Sequence, residues 1–160
     1  MTDTQVDSDF ELLFPDNYIN NITERLNLYN ELSNLKNEEE LAQYEYRLTD
    51  RFGPLPPQAK DLLNSVRIKW LATQMGIERL VMKQGKMLGY FIADQQSKFY
   101  QSGAFQRMLN FVQRNSDKCH LTEKETRNGL RLIITFNKIT TIDKALRIIS
   151  SQSSMLGKKN

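Results

Sequence analysis

Apolar side chains recur at helical intervals through the first half of the chain, and the period shortens towards two after Gly76. The first predicted helix runs from Tyr18 to Leu35, with Asp16 or Asn17 as its N-cap. The apolar positions of this helix that lie at helical spacing are Ile19, Ile22, Leu26, Tyr29 and Leu32. This first half therefore predicts a set of amphipathic helices.

Two further helices are predicted around a stiff corner. Asn37 and the three glutamates that follow it are a cap with negative charge in the first helical turn, and this second helix continues to Phe52. Gly53 ends it, because glycine adopts the left-handed conformation that closes a helix. Pro56 and Pro57 then favour the start of a third helix, which extends to Gln74.

The second half predicts two hairpins and two helices. The first hairpin joins Ile77–Lys83 to Met87–Ala93 through residues 84–86, and the second turns at Asn128-Gly129. Ser102 is the predicted cap of one helix, and Thr140 or Thr141 the cap of the last. Tyr90, Phe91 and Ile92 are apolar on both faces, which indicates a central strand.

These elements predict an α+β fold: N-terminal antiparallel helices followed by two β-hairpins that form an antiparallel sheet with two further helices. The predicted organisation is an acidic leader over residues 1–12, one domain over residues 13–152 and a polar tail over residues 153–160. Residues 1–9 are predicted to be disordered, and residues 10–14 to form a short strand.

Charge is distributed unevenly along the chain. Residues 1–16 contain five acidic residues and no lysine or arginine, so the rest carries all 22 basic residues against 14 of the 19 acidic ones. A mildly basic body permits contact with nucleic acid or with an acidic protein surface. No apolar run is long enough to span a membrane and no secretion leader is visible, so a cytoplasmic protein without membrane contact is predicted.

Signs of catalysis are absent from the sequence. There is no phosphate-binding GxxxxGK[ST] loop, no dinucleotide-binding glycine pattern and no nucleophile elbow. Cys119 and His120 are the sole cysteine and histidine, which leaves too few ligands for a zinc site. We therefore predict no catalytic residue, metal or cofactor in this chain, with Cys119 as a packed strand residue and His120 at the surface.

Nucleic-acid binding is one open alternative. Lys124, Arg127 and Arg131 lie near one predicted turn, and Lys83 and Lys86 near the other. The aromatic pair Phe99-Tyr100 is predicted to be exposed and to offer bases a stacking surface. The competing interpretation is an ordinary mixed-charge surface, since Asp94, Glu123 and Glu125 are interspersed among these cations.

A protein-interaction module is the other open alternative. The stiff corner holds Asp50 and Arg51 at the end of the second helix, where both can form directional, charge-assisted hydrogen bonds to a partner. The plainer interpretation is a well-formed helix corner whose last turn faces solvent.

Several segments together resemble the C-terminal domain of bacterial transcription-repair coupling factors. They are Phe14-Pro15-Asp16-Asn17-Tyr18-Ile19, Arg25-Leu26 with Tyr29, Asp50-Arg51-Phe52-Gly53-Pro54-Leu55-Pro56, and Leu62-Leu63 with Arg67. The similarity is strong from about Leu13 to Ile77 and faint beyond.

The resemblance implies a regulatory fragment of a larger enzyme. In that family a double-stranded-DNA translocase of helicase superfamily 2, which uses ATP and magnesium, displaces stalled RNA polymerase and recruits UvrA through an N-terminal UvrB-like module. The C-terminal domain docks on that module and masks its UvrA-binding surface. By resemblance, the docking contacts are Asp50 and Arg51, and Arg47 stands where relatives can carry glutamate.

Overall fold

A computed structural model of the chain describes residues 3–127 and 129–157. The chain divides into two compact units. One, Glu11–Arg67, is helical; the other comprises Met1–Phe10 and Ile68–Asn160 and contains the sheet. The chain combines helices with two hairpins of antiparallel strands, which confirms the predicted α+β class.

The helical unit contains α1 (Ile22–Ser33), α2 (Glu38–Phe52) and the first turns of α3 (Pro57–Gln74). The start of α2 is as predicted, because the Asn37 side chain accepts a hydrogen bond from the Glu40 amide at 2.9 Å. The predicted start of α1 was wrong: residues 16–18 form a turn closed on the Pro15 carbonyl, and Asn21 is the cap. A proline carbonyl that is bonded to Tyr18 and Ile19 delays the helix by one turn.

The interior of the helical unit is formed by residues from all of its segments. The buried side chains are Phe14, Ile19, Leu32, Leu41, Tyr44, Leu48, Ala59 and Leu63. The Tyr44 hydroxyl donates to the Leu28 carbonyl at 2.7 Å, and its burial raises the pKa of the phenol. The helices of this unit are therefore held by packing together with satisfied polar groups.

The sheet unit contains five strands in the order β1-β2-β3-β5-β4. Their bounds are β1 Gln5–Ser8, β2 Ile77–Lys83, β3 Lys86–Phe91, β4 Cys119–Thr126 and β5 Gly129–Phe136. A 3₁₀ helix (Lys98–Gln101) and α4 (Gly103–Arg114) connect the hairpins, and α5 (Ile142–Gly157) follows β5. β3 is central in this order, as predicted for Tyr90 and Phe91, although the strand ends before Ile92.

The prediction for the first residues of the chain was wrong. Residues 5–8 form a strand that pairs in parallel with β2, whereas residues 10–14, predicted as a strand, form none. Polar contacts fix this edge: the Thr4 hydroxyl lies 2.8 Å from that of Thr73, and the Arg79 Nε donates to the Asp7 carboxylate at 3.0 Å. Acidic residues led to the prediction of disorder here, but one of them, Asp7, forms an ion pair with Arg79.

Turn chemistry sets the hairpins. Gln84 and Gly85 adopt φ of 54° and 75°, which gives a two-residue turn, so β3 begins at Lys86 and one residue earlier than predicted. The second hairpin is confirmed by the pairing of β4 with β5; Asn128 itself lies outside the described residues. α5 continues to Gly157, so residues 153–157, which were predicted as part of a polar tail, are helical, and residues 158–160 lie outside the described range.

Candidate protein-interaction site

The α2–α3 corner has the conformation that its sequence predicts. Gly53 has φ of 90°, and its amide donates to the Thr49 carbonyl at 3.0 Å, which ends α2. The Tyr18 hydroxyl donates to the Gly53 carbonyl at 2.8 Å, and the Tyr18 ring lies 5.7 Å from that of Phe52. Contacts from a separate segment therefore fix the corner in addition to its prolines.

Asp50 occupies the last turn of α2 and is exposed. Within residues 3–127 and 129–157, its carboxylate takes part in no ion pair or hydrogen bond. A carboxylate near a helix C-terminus also lies at the negative end of the helix dipole, which does not stabilise it. The position is thus an anionic acceptor with no evident role in stabilising the helix.

Arg51 and Arg47 differ from Asp50, because both form ion pairs with α1. The Arg51 guanidinium lies 2.5 Å from the Glu24 carboxylate and 5.1 Å from the centre of the Phe52 ring, yet its side chain remains 66% exposed. Arg47 pairs with Glu31, and that hydrogen bond raises the pKa of Arg47. The corner therefore presents one unpaired anion beside two arginines that already have partners.

Other residues of the family-like segments have structural roles. Arg25 donates to the Ile19 carbonyl at 2.7 Å and lies 3.4 Å from Asp16, and only 16% of its side chain is exposed. The Tyr29 hydroxyl accepts the Phe14 amide at 2.8 Å, and the two rings stack with centres 5.0 Å apart. These contacts fix the entry to α1.

Arg67 links the middle of α3 to the start of α2. Its Nε and Nη2 donate to the two carboxylate oxygens of Glu38 at 2.8 and 2.7 Å, and its Nη1 donates to Asn64 at 2.7 Å. The hydrogen bond from Arg67 is the main cause of the lowered pKa of Glu38. The pair joins the start of α2 to α3, so Arg67 is occupied within the unit.

Sequence periodicity missed one surface feature of the helical unit. Ile22 and Leu26 were counted among the apolar positions of α1, yet they are 64% and 59% exposed. They lie one turn apart on the helix that carries Glu24, the partner of Arg51. Exposed apolar residues beside charged ones are typical of interaction surfaces. The sequence gives no signal of this exposure, because the later start of α1, which places Ile22 in its first turn, is visible only in the structure.

The residues considered for nucleic-acid contact lie in two groups at opposite ends of the sheet. Lys124 and Arg127 are exposed, but Arg131 is only 24% exposed; its Nη2 donates to Glu78 at 2.9 Å and its Nε to the Phe91 carbonyl at 3.1 Å. Lys83 and Lys86 flank the turn at the opposite end of the sheet, because Met87 pairs with Phe136 whereas Gly129 begins β5.

The prediction that Phe99 and Tyr100 are exposed and offer a stacking surface was wrong. Phe99 and Tyr100 are half-buried in a cluster with Phe91 and Phe105, where ring centres lie 5.1 to 6.4 Å apart. The Tyr100 hydroxyl donates to the Ile92 carbonyl. Ser97 and Ser102 cap the 3₁₀ helix and α4, the two elements that carry Phe99, Tyr100 and Phe105.

Reactive groups are sparse in the part of the chain that the structure describes. Cys119 is fully buried in β4, as predicted, and burial raises the pKa of its thiol; His120 is exposed, also as predicted. Among the described residues no group of three or more histidine, cysteine or acidic side chains is placed to hold a metal ion. None of the described helices combines the length and the hydropathy needed to cross a membrane.

Known proteins resemble this chain in sequence. It is 28% identical over 136 residues to the transcription-repair-coupling factor of Rickettsia prowazekii (strain Madrid E), which covers 84% of the chain and 11% of that relative. It is 36% identical over 77 residues to the Escherichia coli (strain K12) transcription-repair-coupling factor, which covers 48% of the chain and 7% of that protein. The chain thus spans about a tenth of the length of these relatives.

The fold and a family pattern agree with these matches. The crystal structure of the C-terminal domain of a transcription-repair coupling factor superposes with a TM-score of 0.70 at 16% identity, covering 100% of this chain and 99% of that one. The sequence pattern of the TRCF domain matches residues 8–102, which is more than half of the 160 residues. The resemblance inferred from the sequence is confirmed, and the chain belongs to the TRCF domain family of the transcription-repair-coupling factors.

Proposed function

We propose that this chain is a regulatory docking domain. Its α2–α3 corner binds the UvrB-like module of the parent protein and masks the UvrA-binding surface of that module. The observation that carries the proposal is Asp50: an exposed carboxylate without an internal partner among the described residues, on a corner fixed by Gly53 and Tyr18.

Rigidity supports docking through this corner. Binding costs entropy when loops and side chains must be ordered, and a preformed corner avoids part of that cost. A carboxylate that meets an arginine or lysine of a partner forms a short, directional bond, which favours one orientation of the complex. Asp50 is therefore suited to specific rather than merely adhesive contact.

Arg51 takes part by exchanging its partner. Its pair with Glu24 is 66% exposed on the arginine side, and such surface pairs contribute about 1 kcal/mol or less. An acidic group of the docked module can therefore replace Glu24 at little cost. The exposed Ile22 and Leu26, on the same helix as Glu24, add apolar area to the contact.

Arg47 affects which partner surface the corner can bind. The family resemblance implies that glutamate can stand at this position, and here the arginine pairs with Glu31. The reversal of charge favours a neutral or acidic group at the facing position of the module, since like charges across an interface disfavour binding. We therefore expect this domain to prefer the module of its own parent over that of a distant relative.

The remaining activities of the parent protein lie outside this chain. ATP and magnesium binding, translocation on double-stranded DNA and displacement of RNA polymerase belong there, and this chain binds no cofactor. It contributes autoinhibition, which ends when the corner releases the module and UvrA gains access.

Calorimetric titration of the chain against the separately produced UvrB-like module tests the docking. Asp50→Lys should weaken binding at least about 10-fold, because a charge-assisted contact becomes a repulsive one. Glu125→Lys is the matched control: it makes the same change of charge at an exposed β4 position in the other unit and should leave affinity unchanged.

The same substitution in the parent protein tests masking. Asp50→Lys should increase UvrA binding, whereas the Glu125→Lys protein should bind UvrA as the unmodified protein does. Equal affinity of the two variants for the module, or unchanged UvrA binding in the Asp50→Lys parent, would show that the corner is not the docking site.

A further inference from the structure

A basic groove lies in the sheet unit, at the end of the sheet where β4 begins and β5 ends. It has a volume of about 530 Å³ and is bordered by α5. We define the basic groove by its four cationic side chains, Lys118, Lys138, Lys144 and Arg147. The sequence alone does not single them out, because they come from three segments that only the fold brings together.

The charges in this groove are largely uncompensated. Within the described residues, Lys118, Lys138 and Lys144 form no ion pair, and all three are exposed. Arg147 pairs with Asp143 at 3.1 Å, but the two side chains are 72% and 69% exposed, so the pair contributes little. Asp117 is the one acidic residue among the described residues that line the groove.

Lys138 is held in an unusual backbone conformation. Its φ is 56°, a left-handed value that costs a non-glycine residue roughly 1 kcal/mol. Its neighbours on both sides are fixed: the Asn137 amide donates to the Lys118 carbonyl at 2.9 Å, and the Ile139 amide to the Gly85 carbonyl at 2.8 Å. The fold thus imposes a strained conformation on a residue that carries a free positive charge beside Lys118.

The positive surface continues beyond the groove. Gly85 belongs to the β2–β3 turn, and the exposed Lys83 and Lys86 flank that turn. One carboxylate opposes them there, because the Asp9 side chain accepts the Gln84 amide at 3.0 Å. Cations spread over several segments of an open surface match an extended polyanion better than a small enclosed anion.

We propose that the basic groove binds the phosphate backbone of double-stranded DNA without reading its sequence. Lysine ammonium groups act as point charges on phosphates, and phosphate contacts position a protein without specifying bases. The aromatic cluster around Phe99 is packed, so base stacking does not contribute. This inference is independent of docking through Asp50, since the groove and the corner lie in different units.

The test is fluorescence anisotropy of the full chain with a labelled duplex of about 20 base pairs at about 50 and about 200 mM salt. Four phosphate contacts predict a salt slope of about −3.6 and roughly a 100-fold loss of affinity between these concentrations. The triple variant Lys118→Gln, Lys138→Asn and Lys144→Gln should reduce the slope to about −1. Asparagine is chosen for position 138 because it tolerates positive φ.

The matched control removes three charges elsewhere in the same unit: Lys98→Gln, Lys124→Gln and Arg127→Gln, all at exposed positions. This control variant should show the same salt slope as the unmodified chain. Should the groove variant lose its fold by circular dichroism, the single Lys144→Gln change on α5 should still lower the slope by about 0.9.

Three results would overturn the inference. The first is no binding by the unmodified chain at the lower salt, and the second is an equal loss in the groove and control variants. The third is a groove that shows chemical-shift changes with inorganic phosphate and none with the duplex, which would indicate an anion site and not a DNA surface.

Discussion

Replacing Arg131 by glutamine should destabilise the sheet unit, because this arginine connects three parts of it. Its Nη2 donates to Glu78 in β2, its Nε donates to the Phe91 carbonyl at the end of β3, and its guanidinium lies 5.8 Å from the centre of the Tyr90 ring. At 24% exposure it resembles a structural residue more than a contact for nucleic acid.

The magnitude follows from these three contacts. The pair with Glu78, whose side chain is 38% exposed, contributes about 1 kcal/mol after screening by solvent. The bond to the Phe91 carbonyl adds about 1 kcal/mol, and the contact with Tyr90 about 0.5 kcal/mol. Arg131→Gln should therefore lower the free energy of unfolding by about 2.5 kcal/mol, which for an m-value of about 2 kcal/mol/M shifts the urea midpoint by about 1 M.

Urea unfolding followed by tryptophan fluorescence measures this loss. Trp70 is the single tryptophan and belongs to the same unit as Arg131, so it reports on the relevant transition. Lys124→Gln is the control: it removes the same charge at the position paired with Arg131 on β4 and should change stability by less than about 0.5 kcal/mol. Arg131→Lys should recover only part of the loss, because an ammonium group lacks the planar fork.

Two outcomes would refute this reasoning. One is an Arg131→Gln variant that unfolds at the same urea concentration as the unmodified chain. The other is a variant that keeps its stability but loses DNA affinity by more than the Lys124→Gln control does. Either result would show that Arg131 does not stabilise the sheet unit, and the second would also identify it as a DNA contact.

Three further predictions concern stability and reactivity. Gly76→Ala should cost about 2 to 4 kcal/mol in urea unfolding, since φ is 76° and a Cβ would lie 2.6 Å from the Phe99 ring; adding Phe99→Ala should relieve only the steric part. The hydrogen bond from Arg67 lowers the pKa of Glu38, so the ionised carboxylate stabilises the fold at pH values above 4.5, its usual pKa. As the pH falls through the lowered pKa, up to about 1 kcal/mol of unfolding free energy should be lost. Arg67→Gln should abolish this pH dependence when unfolding is measured at several pH values. The Cys119 thiol, fully buried and with a raised pKa, should react with a thiol reagent at mildly alkaline pH only after denaturant is added.

Local chemistry made several boundaries predictable from the sequence. Asn37 and Ser102 cap α2 and α4 because their side chains accept amides within the next turn, a contact that needs no distant partner. Gly53 ends α2 through its own positive φ. Such features lie within a few residues of each other, so the sequence alone predicts them.

Distant partners explain what the sequence did not predict. β1 is polar, and its strand conformation depends on pairing with β2, about seventy residues away in the chain. Arg131 looked like a free cation because Glu78, its partner, lies 53 residues upstream. The basic groove was missed for the same reason, since the β4–β5 pairing places Lys118 next to Asn137.

The two proposed surfaces differ in what their residues contribute to the fold. At the corner, Arg51 and Arg47 stabilise the packing of α1 against α2, so mutations there combine effects on stability and on docking, and only Asp50 separates the two. In the basic groove, Lys118, Lys138 and Lys144 form no ion pair within the described residues, and Lys138 adds strain. Neutralising these lysines should therefore leave stability unchanged or raise it while DNA binding falls. A gain in stability together with a loss of binding is the expected result for residues retained for function rather than for folding.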